Sequence, residues 1–254
     1  GDVAFAAELL TPAAKKFPDN PEILFYLSEA LRSADREQAT DLLKKSLELN
    51  SNYAPALLRI VEQQIDAEDY AEAEKTIQQL LSVNPNLPEA HSLQSVIFHL
   101  RNNIAAAEES RKAALKFSKS NPEVDHLIGR KLSQKYRFAE GAEFQRKALE
   151  ADVEFVDARI QLAQDLLRLG LEEEGWKQAE QAHKADGYNT TLFNLLQLKD
   201  SLGRFTTVSS EHFQVRMATE EAAVYGPRVV EMLEQVWTEL TARYEFTPEV
   251  PVYV

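Results

Sequence analysis

Histidine is the residue of this chain best suited to metal binding or acid–base chemistry, and the sequence contains five. No two histidines stand four residues apart, which is the spacing that places two zinc ligands on one face of a helix. The chain also lacks a Gly-x-Ser-x-Gly turn for a serine nucleophile and a glycine-rich phosphate loop. We therefore predict structural or solvent-exposed roles for all five: His91, His99, His126, His183 and His212.

The composition restricts the classes of partner and cofactor. A net charge of −13 repels phosphate backbones and anionic lipid surfaces, so nucleic acid is not an expected partner. No apolar run has the length needed to span a membrane, so membrane insertion is not expected either. The absence of cysteine excludes disulfides, thiol catalysis and thiolate metal sites, but it does not separate a cytoplasmic from an exported protein. No cofactor is predicted for the chain.

Small residues recur with a period of 34 along most of the chain, and a second series of small or apolar residues has the same period. Small side chains are needed where two helices cross closely, so each period is predicted to hold two helices. The first series is Ala39, Ala73, Ala107, Gly141 and Gly175. The second series, with the same step, is Val61, Ser95, Gly129 and Ala163.

These repeats resemble tetratricopeptide repeats, which are helix pairs of 34 residues. The segment "HLIGRKLSQKYRFAEGAEFQRKALEAD" carries the resemblance best, with Gly129, Phe138 and Ala148 at motif positions. The implied fold is mainly α: a solenoid of helix pairs with a capping helix, followed by a small βαβ unit. We expect the second helix of a partial repeat in residues 1–19, five repeats in 20–187, a capping helix in 188–204 and an α/β unit in 205–254.

The resemblance implies that a peptide or partner protein binds the groove lined by each first helix. The lysine and asparagine clamp of chaperone-binding members is absent. Arg130 and Arg168 lie on successive first helices and suggest an acidic ligand; an ordinary solvated helix face and a metal site shared by two repeats are the alternatives. The candidate groove residues are Arg59, Glu62, His99, His126, Arg130, Gln164 and Arg168.

The pattern changes after the array. Phe213, Val215 and Met217 alternate with polar residues and predict a strand. Residues 219–246 predict a long amphipathic helix with Pro227 near its first turns and a strong apolar face in 228–244. The segment "PEVPVYV" predicts a second strand, parallel to the first. We expect both outer edges of this strand pair to lack neighbours, which favours self-association through the strands.

Residues 205–254 resemble the start of the peptidase MA-like, gluzincin domain found behind such repeats in bacterial proteins. The activity of that family depends on an HExxH helix, in which two histidines bind zinc and the glutamate activates water. This motif is not in the sequence. The resemblance thus implies a chain that ends before the zinc site of a longer protein.

Two functions follow as hypotheses. The chain is predicted to be an interaction scaffold that binds a peptide or a partner protein. The alternative is a substrate-recruiting region of a zinc metallopeptidase, in which case zinc would belong to a downstream part that is not in this sequence.

Overall fold

The computed structural model describes residues 3–254, which form thirteen α-helices and three β-strands. The chain divides into two compact units, one ending at Phe155 and the other running from Val156 to Val254. The described residues of the first unit form nine helices: α1 Val3–Lys16, α2 Pro21–Leu31, α3 Arg36–Leu49, α4 Ala54–Asp66, α5 Tyr70–Val83, α6 Pro88–Leu100, α7 Ile104–Ala114, α8 Pro122–Gln134 and α9 Phe138–Ala151.

Local sequence accounts for where these helices begin. The second helices α3, α5 and α7 each follow an Asp or Asn whose side chain accepts a hydrogen bond from a main-chain N–H of the first turn. The first helices carry proline in the first turn, where its missing N–H costs nothing. These prolines are Pro21, Pro55, Pro88 and Pro122.

Four of the turns inside helix pairs use a left-handed residue, and these residues also recur every 34 positions. They have φ angles between 57° and 75°. Only the last of them is a glycine, the residue that adopts this conformation without a steric penalty. The four positions are Glu68, Asn102, Tyr136 and Gly170.

The two series of small residues meet at the helix crossings, as predicted. Ser95 of the second series is fully buried, and its hydroxyl donates to the carbonyl oxygen of Ala107 of the first series at 2.8 Å. One repeat later, Gly129 approaches Gly141 so closely that an added Cβ would lie 2.8 Å from the Gly141 carbonyl oxygen. Repeated small residues therefore set the distance between paired helices, and the predicted fold class is confirmed.

The second unit begins with a further helix pair. The single helix predicted after the array is α12, with Asn189 as its N-cap and Gly203 directly after its end. A sheet and a long helix follow. The elements are α10 Val156–Arg168, α11 Glu172–Ala185, α12 Thr190–Leu202, β1 Phe205–Ser209, β2 Phe213–Ala218, α13 Thr219–Tyr244 and β3 Val252–Tyr253.

The terminal sheet has three strands in the order β1-β2-β3. The predicted βαβ crossover is present, because β2 and β3 are parallel and α13 connects them. The prediction that both outer edges of the strand pair lack neighbours was wrong, because β1 pairs with β2 in antiparallel register from Phe205 opposite Ala218 to Ser209 opposite Gln214. Strand β1 escaped prediction because four of its five residues are exposed and show no alternation.

Helix α13 begins at Thr219, as predicted, and Pro227 lies inside it. Ala222 and Gly226 are buried in these early turns, and a Cβ at Gly226 would lie 3.0 Å from a methyl group of Val208 in β1. Packing on the sheet therefore stabilises the early turns despite the lost hydrogen bond at proline.

His212 and Glu234 connect the hairpin turn to α13. The main-chain N–H of His212 donates to Glu234 Oε1 at 2.9 Å, and His212 Nδ1 lies 2.5 Å from Oε2. The pKa of Glu234 is lowered to about 2, by Ser210 and then by the two His212 contacts. Ser210 Oγ has no hydrogen-bond partner among the described residues, so the two His212 contacts are the ones that join Glu234 to the hairpin turn.

A pH prediction follows from this pair. The usual pKa of a glutamate is 4.5, so the contact stabilises the folded unit above that pH and is lost as the pH falls through about 2. We expect Glu234→Gln to lower the thermal midpoint at neutral pH, with a difference from wild type that shrinks between pH 4.5 and about 2. Glu239→Gln, an exposed change on the same helix, is the control; a difference independent of pH would contradict the assignment.

Candidate functional site

The groove-side face is defined here as the face formed by the first helix of each pair. In the first unit, its predicted residue Arg59 lies on α4 and joins two helices. Arg59 Nε donates to Glu29 Oε1 of α2 at 2.7 Å, and its NH1 donates to Glu62 Oε2 at 3.1 Å. Arg59 and Glu62, the two charged groove residues predicted on α4, therefore bind each other.

The same network extends to α8, two repeats away. Arg130 lies 3.4 Å from Glu62, and Lys131 Nζ donates to Asp66 Oδ1 at 2.8 Å and lies 3.6 Å from Glu62 Oε2. The Lys131 side chain is only 1% exposed, so these carboxylates offset the cost of burying its ammonium group. The groove-side charges of α2, α4 and α8 thus form one ion-pair network.

His99 and His126 both contact residues of α9. His99 of α6 is buried edge-on against Phe144, and burial lowers the pKa of its imidazole despite the opposing charge of Glu140. His126 Nδ1 of α8 lies 2.8 Å from Gln145 Oε1. The contacts of His99 therefore cross to the next repeat, whereas the Gln145 contact of His126 lies within its own repeat.

In the second unit, the predicted residues Gln164 and Arg168 line one pocket. The pocket has a volume of about 450 Å³ and lies between α10, α11 and α12; we call it the α12 pocket. Its lining residues are Gln164, Leu167, Arg168, Glu172, Trp176, Thr191, Asn194, Leu195, Leu198 and Leu202.

Helix α12 has two apolar faces, and only one belongs to the core. Leu192 is fully buried and, with Leu196, packs on the core of α10 and α11. Leu195, Leu198 and Leu202 instead line the pocket. A helix that only capped the array would present polar residues on its second face, so these leucines mark a surface suited to an apolar ligand group.

Two charged side chains line the α12 pocket, those of Arg168 and Glu172. Glu172 pairs with Arg216 of β2 through contacts of 2.8 and 3.0 Å.

Comparisons with known proteins agree with this architecture. Residues 30–97 match the family model described as tetratricopeptide repeat. Residues 30–97 therefore carry tetratricopeptide repeats. TTC0263, a tetratricopeptide repeat protein of Thermus thermophilus, is 22% identical over 65% of this chain and 91% of its own, with a TM-score of 0.51. The APC/C hetero-tetramer Cut9–Hcn1 matches at 10% identity and a TM-score of 0.51, over 77% of this chain and 39% of that chain.

At these identities the structural matches establish the tetratricopeptide fold alone. No curated protein matches the sequence. The matched family model does not reach residues 205–254, so their resemblance to a peptidase MA-like domain stays a hypothesis. Within residues 3–254, no group of three or more His, Asp or Glu side chains is placed to hold a metal ion, and no helix is long and apolar enough to cross a membrane.

Sequence reasoning missed several residues that shape this face of the tetratricopeptide repeats. Lys131 and Asp66 stand 65 residues apart, and nothing in the sequence marks them as a pair. Trp176 was not selected because it lies on a second helix. The spacing of Leu195, Leu198 and Leu202 could have indicated a second apolar face on α12, since the three recur at one side of a helix.

Proposed function

We propose that this chain is an interaction scaffold that binds a segment of a partner protein on the groove-side face of its tetratricopeptide repeats. The observation that carries the proposal is the α12 pocket, which combines apolar walls with a few polar groups. Such a combination is typical of ligand sites, in which apolar contact supplies affinity and polar groups orient the ligand.

The lining of the pocket defines the segment that would fit. Trp176 and the three leucines of α12 offer contact to one bulky apolar side chain. Gln164 and Asn194 carry amide groups that can bind the main chain of an extended peptide. The proposed ligand is therefore an extended segment with a single apolar anchor.

An acidic residue beside the anchor would complete the fit. A guanidinium such as that of Arg168, which lines the pocket, can bind a carboxylate through two hydrogen bonds. The expectation of an acidic ligand is thus retained as a proposal, but it now depends on Arg168 rather than on Arg130 and Arg168 together.

Peptide binding to two arginine variants tests this proposal. The probe is a set of fluorescent peptides with one central Trp, Phe or Leu that is flanked by Asp or by Lys. We expect the Asp-flanked peptides to bind wild type more tightly, and Arg168→Gln to weaken them about tenfold because a charge-assisted hydrogen bond is lost.

Arg130→Gln is the matched control, because Arg130 pairs with Glu62 inside the first unit. It should leave peptide affinity unchanged. Leu198→Asp should abolish binding of both peptide sets. Equal binding of Asp- and Lys-flanked peptides would contradict the acidic ligand, and unchanged binding by Leu198→Asp would contradict the pocket itself.

A further inference from the structure

The groove-side face of the first unit is closed over helix α6. Glu62, Val96 and Arg130 are spaced by 34 residues, so they occupy one position of the repeat on the first helices α4, α6 and α8. This position belongs to the groove-side face, yet Val96 and also Ser92, one turn earlier on α6, are fully buried. Glu62 and Arg130 lie 3.4 Å apart. The two outer helices therefore pair across α6.

Cationic side chains of α8 and of the residue after it bind acidic residues of α4 and of the turn that follows it. Lys131 pairs with Glu62 and Asp66, and Lys135 Nζ lies 3.2 Å from Glu68 Oε1. Lys135 Nζ also donates to the main-chain oxygen of Asp66 at 2.9 Å. All cations of this set come from the α8 side and all carboxylates from the α4 side, so every ion pair draws the two helices together. We call the set the α4–α8 latch: Glu62, Asp66, Glu68, Arg130, Lys131 and Lys135.

The part of α6 between these helices is apolar. Val96 and Ile97 belong to one core cluster with Val61 of α4 and Ile128 of α8. Separation of α4 from α8 would bring Val96 into contact with water. Apolar burial therefore opposes opening together with the ion pairs.

The charges of the latch make this balance sensitive to salt. The side chains of Asp66 and Glu68 are 55% and 69% exposed, so their carboxylates stay hydrated when the contacts break, and salt screens their attraction. The buried ammonium group of Lys131 regains water on opening, which offsets part of the attraction that it loses. A change of one charge, or of ionic strength, can therefore shift the groove between a closed and an open arrangement.

We propose that the α4–α8 latch is a conformational device that closes the groove over α6 and opens when its ion pairs are broken. In the closed arrangement, the place that a ligand would take on α6 is occupied by side chains of α4 and α8. Opening makes Val96 and Ser92 accessible. The latch contains no residue of the α12 pocket, so its failure in the tests below would leave the proposed function standing.

A single introduced thiol measures the opening of the latch. The chain has no cysteine, so Val96→Cys gives the only thiol, at a fully buried position of the closed groove. The probe is its rate of reaction with a small water-soluble disulfide reagent. We expect slow reaction in dilute buffer and a rate at least fivefold higher in about 1 M NaCl, because salt screens the ion pairs.

Urea at low concentration separates local opening from unfolding. Opening of the groove exposes far less surface than unfolding, so the rate should depend only weakly on urea. A rate that salt does not raise, or one that follows global unfolding in its dependence on urea, would overturn the proposal.

A charge reversal in the Val96→Cys background tests the latch directly. Asp66→Lys places a cation beside Lys131 and Lys135, and the helix dipole favours a cation at the last residue of α4, so the helix itself should be retained. We expect at least tenfold faster reaction in dilute buffer. Salt should now slow the reaction, because it screens a repulsion instead of an attraction.

Asp41→Lys is the matched control, since it makes the same charge change at an exposed position of α3 outside the latch. It should leave both the rate and its salt dependence as they are in Val96→Cys alone. Unaltered circular dichroism spectra show that the variants are folded. Equal rates for Asp66→Lys and Asp41→Lys, or a salt effect of the same sign in both, would overturn the assignment of the latch.

Discussion

Replacement of Arg111 by Met is expected to lower the free energy of unfolding by about 3 kcal/mol, because it leaves a buried carboxylate without its cation. Arg111 lies on α7 and Asp125 in the first turn of α8. The Arg111 NH2 group donates to Asp125 Oδ2 at 2.7 Å, and its Nε donates to the other carboxylate oxygen. The Asp125 side chain is only 4% exposed, so water cannot replace the lost contact. The dipole of α8 favours the negative charge of Asp125 in its first turn. The expected loss of stability therefore lies at the lower end of the range usual for a broken buried ion pair.

Two further variants separate this effect from a general effect of charge removal. The double change Arg111→Met, Asp125→Met should recover most of the loss, because neither charge is then left buried. Lys112→Met, at the next residue of α7, breaks only an exposed pair with Glu109 and should leave the denaturation midpoint unchanged. A double variant less stable than the single variant, in urea denaturation, would show that the pair does not act in this way.

Replacement of Gly129 by Leu is expected to destabilise the first unit by about 3 kcal/mol through overpacking. Even a Cβ at this position would lie 2.8 Å from the carbonyl oxygen of Gly141 and 2.9 Å from Cβ of Phe144. A backbone atom cannot move aside as the end of a side chain can, so α8 and α9 must separate. Gly129→Ala should give a smaller loss, because the better helix propensity of alanine offsets part of the strain by about 1 kcal/mol.

Ala71→Leu is the control for this change, since Ala71 is exposed on α5 in the same unit. It should alter the free energy of unfolding by less than about 0.5 kcal/mol. Denaturation followed by circular dichroism compares the three variants. If Ala71→Leu were as harmful as Gly129→Leu, the close crossing of α8 and α9 would not be the cause.

The repeat architecture was predictable because its determinants are local and recur. A residue that must be small at one crossing must be small at the next, so Ser95 and Gly129 show the same period as their partners Ala107 and Gly141. Prolines and capping side chains likewise act within one turn of their own helix. Helix α12 was found in the same way, since Asn189 and Gly203 are adjacent to its ends.

The site was only partly predictable, because its chemistry depends on which side chains meet. Repeat spacing places Arg130 and Arg168 on equivalent helices, but it cannot show that one pairs with Glu62 while the other lines a pocket. The pairing of Lys131 with Asp66 requires α4 and α8 to approach across an intervening repeat. Such a contact depends on how successive repeats of the first unit stack, which no single repeat encodes.

The sequence by itself determined the helix pairs, their boundaries, the small residues at their crossings and the parallel βαβ connection. Only the tertiary structure decided the network around Glu62, the α12 pocket and the strand β1. Periodicity reports which face of an element is buried, whereas ion pairs, pockets and edge strands arise between elements that are distant in sequence. In α13, packing of Gly226 on Val208 outweighs the local cost of Pro227, and that balance exists only once the sheet is in place.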